Sequence, residues 1–132
     1  MPIQKVLLVD DDNDLRRIAQ ISLKNVGKWT VLLASSGVEA LKIAREHNPD
    51  VILLDVMMPG MDGPTTLSEL RRNRGTASIP IIFLTAKVQT HEVDDYIDMG
   101  AIGVITKPFD PMRLPEEIVQ MLADKGINGE RT

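Results

Sequence analysis

Five short stretches of the chain are continuously apolar, and the segments between them are apolar only at intervals. The continuous stretches are Lys5-Val6-Leu7-Leu8-Val9, Trp29 to Ala34, Val51-Ile52-Leu53-Leu54 closed by Asp55, Pro80 to Lys87, and Ala101 to Thr106. An unbroken apolar run rich in β-branched residues predicts a strand buried on both faces, as in a parallel sheet covered by helices. The intervening segments follow helical spacing. Leu15, Ile18, Ala19, Ser22 and Val26 lie on one such pattern, with Asp12 or Asn13 as its cap and Gly27 as its stop.

The remaining helices carry their own punctuation. Ser36 and Glu39 have capping-box spacing and open a helix with Ala40, Leu41 and Ala44 inward, ending before Asn48-Pro49. Pro59-Gly60-Met61-Asp62-Gly63 is turn chemistry, and Pro64 suits the first turn of a helix carrying Leu67 and Leu70. His91 to Met99 is a fourth, weakly apolar helix closed by Gly100. Asp110-Pro111 has the form of a cap and first helical residue, but Pro115 would clash inside that helix. The regular helix is therefore expected near Pro115, with Glu116 and Glu117 in its first turn and Ile118, Met121 and Leu122 inward.

Strands alternating with helices imply an α/β fold. Right-handed crossovers then give a doubly wound, five-stranded parallel sheet. The order 2-1-3-4-5 is expected, the flavodoxin-like (βα)5 three-layer sandwich. We assign residues 1–125 to one domain and 126–132 to a short polar tail. In such a sheet ligands bind above the carboxyl ends of the strands, where the order reverses. Those ends are chemically distinctive: Asp10-Asp11-Asp12 after the first strand, Asp55 on the third, Thr85 on the fourth, Lys107 after the fifth.

Composition narrows the chemistry. Cys is absent, so thiolate metal sites and thiol catalysis are excluded. A net charge of −4 argues against a direct grip on nucleic acid, and no apolar run approaches the ~20 residues of a membrane span. The amino terminus enters a strand pattern directly, without a secretory signal, so a cytoplasmic protein is expected. Asp10, Asp11 and Asp55 should meet over the crevice, where clustered carboxylates repel unless a cation joins them. An oxygen-only set selects a hard ion, and few carboxylates with room for water suit Mg²⁺, with the Met57 carbonyl also within reach. Asp55 could then act as nucleophile toward a phosphoryl group, Thr85 could donate a hydroxyl hydrogen bond to it, and Lys107 could neutralise it. The Lys107-Pro108 peptide is a candidate for the cis form.

Together, Val9-Asp10-Asp11, Asp55 through Gly63, Leu84-Thr85-Ala86 and Lys107-Pro108-Phe109 resemble the receiver domains of two-component response regulators, over about Lys5 to Ala123. The resemblance implies that Asp55 takes a phosphoryl group from a sensor histidine kinase or a histidine phosphotransfer protein. It also implies Mg²⁺ on Asp10, Asp11, Asp55 and the Met57 carbonyl, and phosphate contacts from Thr85 and Lys107. The face of helix 4, strand 5 and helix 5 would switch to control a downstream protein, with a phosphorylation-dependent homodimer among the outcomes to test. Such a chain is a regulatory phosphoacceptor that assists its own phosphotransfer and dephosphorylation, not an enzyme in its own right. It departs from the pattern three residues before the lysine, where the family usually has Tyr or Phe and this chain has Val104. Three other readings compete, one of them a degenerate receiver that is never phosphorylated, against which every residue of the site is present. A haloacid-dehalogenase-type phosphatase wants an Asp where Met57 stands, and a flavin mononucleotide module wants a Ser/Thr/Gly-rich phosphate cradle that these loops lack.

Overall fold

The computed structural model describes residues 3–86 and 89–127. The expected last residue of the fourth strand, Lys87, and tail residues 128–132 lie outside the described residues. The elements are β1 (Lys5–Val9), α1 (Asn13–Ile21), a π-helical turn (Ser22–Val26), β2 (Thr30–Ala34), α2 (Gly37–His47), β3 (Val51–Asp55), α3 (Gly63–Arg72), β4 (Ile81–Thr85), α4 (Thr90–Asp98), β5 (Gly103–Thr106) and α5 (Leu114–Asp124). The strands are all parallel, in the order β2-β1-β3-β4-β5. This is the flavodoxin-like doubly wound sheet that the alternation of patterns predicts.

Two apolar layers hold the sheet between helices. One face packs Leu7, Ile52, Leu54, Ile81 and Phe83 against α2 and α3, with Tyr96 of α4 at its margin. The other packs Val6, Leu8, Leu53, Ile82 and Leu84 against α1 and α5. Every residue of β3 and β4 is buried, whereas the edge strands β2 and β5 are only partly so. The continuous apolar runs of β1, β3 and β4 thus match their two-sided burial. The register sets Val9 beside Leu54, Asp55 beside Leu84 and Thr85 beside Thr106, so the strands end nearly level.

Local chemistry fixes the helix ends. Asp12, not Asn13, caps α1, its Oδ1 accepting from the N–H groups of Asp14 and Leu15 at 2.9 and 3.2 Å. Asp62 caps α3 by accepting from Thr65 N–H at 2.9 Å, with Pro64 in the first turn. Ser36 Oγ accepts from Glu39 N–H at 3.1 Å, but Glu39 returns its hydrogen bond to the N–H of Ser35 at 2.6 Å, one residue before the expected partner. α5 begins at Leu114, and Pro111 to Arg113 forms a separate turn, so Pro115 breaks the start as expected.

Three expectations are corrected. α1 is not one regular helix to Gly27: it widens into the π-helical turn, where the nearly buried Ser22 hydroxyl donates to the Pro111 carbonyl. The inner face runs through Ala19 and Leu23, leaving Ile18 47% and Val26 41% exposed. The basic run Arg71-Arg72-Asn73-Arg74-Gly75 has the composition of a solvated helix end, but Arg71 is not solvated. Its guanidinium donates to the carbonyls of Ile79 at 2.9 Å and Gly100 at 3.2 Å, and burial lowers its pKa.

Candidate functional site

The strand tips do converge. Asp10 lies one residue beyond β1, and its N–H still donates to Ala34 of β2 at 3.1 Å, so the strand direction carries it to the crevice. Its carbonyl accepts from Arg16 Nη1 at 2.7 Å and its Oδ1 accepts from Asp12 N–H at 3.0 Å. Asp10 is therefore wholly buried and held through main chain and side chain together. Asp55, 3% exposed, ends β3. Its Oδ1 accepts a long 3.4 Å hydrogen bond from Met57 N–H. Asp11 is exposed and completes the group: one carboxylate oxygen from each of Asp10, Asp11 and Asp55 lies within 4.8 Å of the others.

Lys107 enters from the far side of the sheet. Its N–H donates to the Thr85 carbonyl at 2.9 Å, which extends β5 against β4, and the peptide to Pro108 is cis. Its Nζ lies 2.9 Å from Asp10 Oδ2 and 3.1 Å from Asp55 Oδ1. The sequence suggests a point charge waiting for a phosphate, yet here the lysine already bridges two of the acids. Thr85 is 6% exposed at the tip of β4, beside the same strand ends. Met57, just after β3, is 75% exposed.

The electrostatics follow from burial. Desolvation, then repulsion from Asp10, pushes the Asp55 carboxyl up to about 6, against the pull of Lys107. Burial alone would lower the Lys107 pKa, but its hydrogen bonds to Asp10 and Asp55 outweigh it and the ammonium is held above its ordinary range. Three carboxylates facing one ammonium leave net negative charge in the crevice. Each close pair costs roughly 4 kcal/mol at an effective dielectric near 20. The donor set is all oxygen, without His or Cys, which fits a hard divalent cation.

Reading the sequence alone missed two positioning residues. Arg16 clamps the Asp10 carbonyl across more than a helical turn, and Asp50 Oδ2 accepts from the N–H groups of Gln4 and Lys5, both at 2.9 Å, aligning β1 with β3. Asp50 has no local signal, since its partners lie on another strand, whereas Arg16 reaches back only six residues, from the first turns of α1 to the tip of β1. Gly63 bears on the site as well. Its N–H donates to the Val56 carbonyl at 2.9 Å, and a Cβ there would meet the Asp55 carbonyl oxygen at 2.5 Å. Gly60, in the same loop, has φ +77° but open space around it. His47, at the end of α2, and His91, in the first turn of α4, are both exposed.

Comparison with known proteins agrees with this geometry. The family model described as the response regulator receiver domain matches residues 6–119. A protein of Pyropia yezoensis named "Probable transcriptional regulator ycf29" is 40% identical over 90% of this chain and 53% of its own length. The DNA-binding response regulator MtrA of Mycolicibacterium paratuberculosis is 40% identical over 84% of this chain and 48% of its own. The chain thus spans about half the length of these curated relatives. Among solved structures, the chemotaxis response regulator CheY4 of Vibrio cholerae superposes with a TM-score of 0.84 at 32% identity, covering 91% of this chain and 99% of that one.

Proposed function

Because the chain belongs to the response regulator receiver domain family of two-component signalling, we propose that Asp55 is its phosphoacceptor and that the phosphorylated form controls a partner protein. The observation that carries this reading is the bridging of Asp10 and Asp55 by Lys107 at the mouth of the sheet. A carboxylate oxygen of Asp55 attacks the phosphorus of a phosphohistidine on a sensor histidine kinase or histidine phosphotransfer protein. The new O–P bond forms as the P–N bond breaks, and the imidazole nitrogen departs with the electron pair. Attack needs the ionised carboxylate, which with a pKa of about 6 predominates at neutral pH.

Asp10, Asp11, Asp55 and the Met57 carbonyl would hold Mg²⁺. When bound, the ion neutralises charge on the phosphoryl oxygens and lets the acids share one space. Lys107 exchanges its Asp55 contact for the added phosphate, and the Thr85 hydroxyl donates to another of its oxygens. Both act by placing positive potential where charge develops. The chain is a regulatory phosphoacceptor, assisting transfer to Asp55 and later hydrolysis there, and not an enzyme with its own substrate pool. With Val104 beside Phe83 in the register, no aromatic side chain of β5 can rotate as the readout. The switch runs through Thr85 and α4, whose Tyr96 ring rests on Phe83 with centroids 5.0 Å apart. A cytoplasmic location accords with these partners; among the described residues, no helix is long and apolar enough to cross a membrane.

Acetyl phosphate with Mg²⁺ is expected to label Asp55 through an alkali-labile bond, and Asp55→Asn to abolish the label. Undiminished labelling of the variant, read by intact mass, would falsify the acceptor assignment. Lys107→Ala is expected to keep Mg²⁺ affinity but lose the conformational response to phosphorylation.

A further inference from the structure

Asp11 is the least firmly held of the three acids. Asp10 and Asp55 are buried and share Lys107, whereas Asp11 is exposed and, among the described residues, no hydrogen bond or ion pair holds its carboxylate. Its aim is therefore set by the backbone that carries it. A peptide unit is planar, so a bond to the Asp10 carbonyl also orients the N–H and Cα of Asp11 in the same unit. Arg16 supplies that bond. Its Nη1 donates to the Asp10 carbonyl at 2.7 Å, and its Nη2 donates to the side-chain Oδ1 of Asn13. One half-buried guanidinium thus spans the turn from just past β1 to the first residue of α1, with Asp11 and Asp12 between its two contacts.

We infer that Arg16 is a positioning residue for Mg²⁺: by gripping the peptide between Asp10 and Asp11 it aims the Asp11 carboxylate at the ion that Asp10 and Asp55 help to hold. This role rests on the Mg²⁺ assignment for the same acids and adds the residue that sets its affinity. Charge alone would act in the opposite direction. A guanidinium this near a divalent cation repels it, so deleting a bystander charge should tighten Mg²⁺ binding. Loss of a group that orients a ligand weakens binding instead, typically by about tenfold or more. Lysine separates the two roles, because it keeps the charge but, as a point donor, cannot span both the Asp10 carbonyl and Asn13.

The test is a titration of the full chain with magnesium chloride, without phosphodonor, read from the amide NMR shifts of the turn between β1 and α1. Arg16→Met and Arg16→Lys are both expected to raise the Mg²⁺ dissociation constant about tenfold. Asn13→Ala, which keeps the charge and frees one prong of the fork, should raise it about threefold. Arg17→Met removes the same charge from an exposed position of α1 and should leave it within about twofold. At saturating Mg²⁺ the Arg16 variants should still label Asp55 with acetyl phosphate within about threefold of the wild-type rate, because the ion then holds Asp11 in place. Urea unfolding in EDTA shows whether each variant folds, and if the Arg16 variants do not, Asn13→Ala decides. Tighter binding by Arg16→Met with no change in Arg16→Lys would reveal a bystander charge and overturn the role. Equal weakening by Arg17→Met, or labelling lost at saturating Mg²⁺, would overturn it too. A wild-type chain indifferent to Mg²⁺ sinks the metal assignment itself, whereas wild-type binding beside unaffected Arg16 and Asn13 variants sinks the role of Arg16 alone.

Discussion

The tips of β1 and β3 and the α4 corner of the molecule lie on either side of β4, and they are built to opposite rules. Asp10 and Asp55 stand on strands whose apolar residues are wholly buried, tied by main-chain bonds, an arginine clamp and a shared lysine. α4 alone among the five α-helices has no buried residue, and its main apolar anchor is the Tyr96 ring against Phe83. Arg71 pins the turn after α4 through the Gly100 carbonyl, not the helix itself. The difference separates the part that must hold its geometry for chemistry from the part that can open at low cost and so report it.

The comparison can be attacked from its strong side first. Leu53→Ala, at a wholly buried position of β3, is expected to lose about 3–4 kcal/mol in urea unfolding through lost burial and a residual cavity. A loss below about 1 kcal/mol would mean the sheet is less tightly packed than its burial implies.

Next in size is a gain. The folded-state pKa of Asp55 is raised from 3.8 to about 6, so the native chain binds that proton more tightly than the unfolded one. Without metal, stability contributed by this group is greatest below about pH 4, falls as pH rises to about 6, and stays lowered above it. Asp55→Asn should therefore stabilise the metal-free chain at pH 7.5 by on the order of 2 kcal/mol and do much less at pH 4.5. Urea midpoints in EDTA at the two pH values check it, and an equal effect at both would refute buried charge as the cause.

Smallest is the soft side. Tyr96→Leu is expected to cost about 1 kcal/mol and to speed amide exchange across α4 while leaving β3 protected. If it costs as much as Leu53→Ala, the two regions are not distinct.

Much of this was legible in the chain. Lys5 to Val9, Val51 to Asp55 and Ile81 to Thr85 are continuously apolar up to their ends because both faces are covered, and the same pattern exposes what each strand carries at its tip. Pro115 announced the late start of α5 because it has no N–H to donate and its ring would clash with a helical carbonyl four residues earlier. What stayed hidden depends on distant partners. The π-helical turn is accompanied by Ser22 donating to Pro111, 89 positions away, and Arg71 looks like a surface cation until the carbonyls of Ile79 and Gly100 arrive beside it. Lys107 could be placed at the crevice from its strand, but not its pairing with both Asp10 and Asp55, which needs the sheet assembled.

The two glycines of the loop after β3 would answer differently to replacement. At residue 60 the demand is only for a left-handed backbone, with nothing within 4 Å, and asparagine is a workable substitute. At residue 63 a single methyl would press on the carbonyl of Asp55 itself, on Val56 Cα at 2.8 Å and on the Phe83 ring at 3.1 Å. The loop after β3 therefore has freedom to vary on its outer bend and almost none where it turns into the helix.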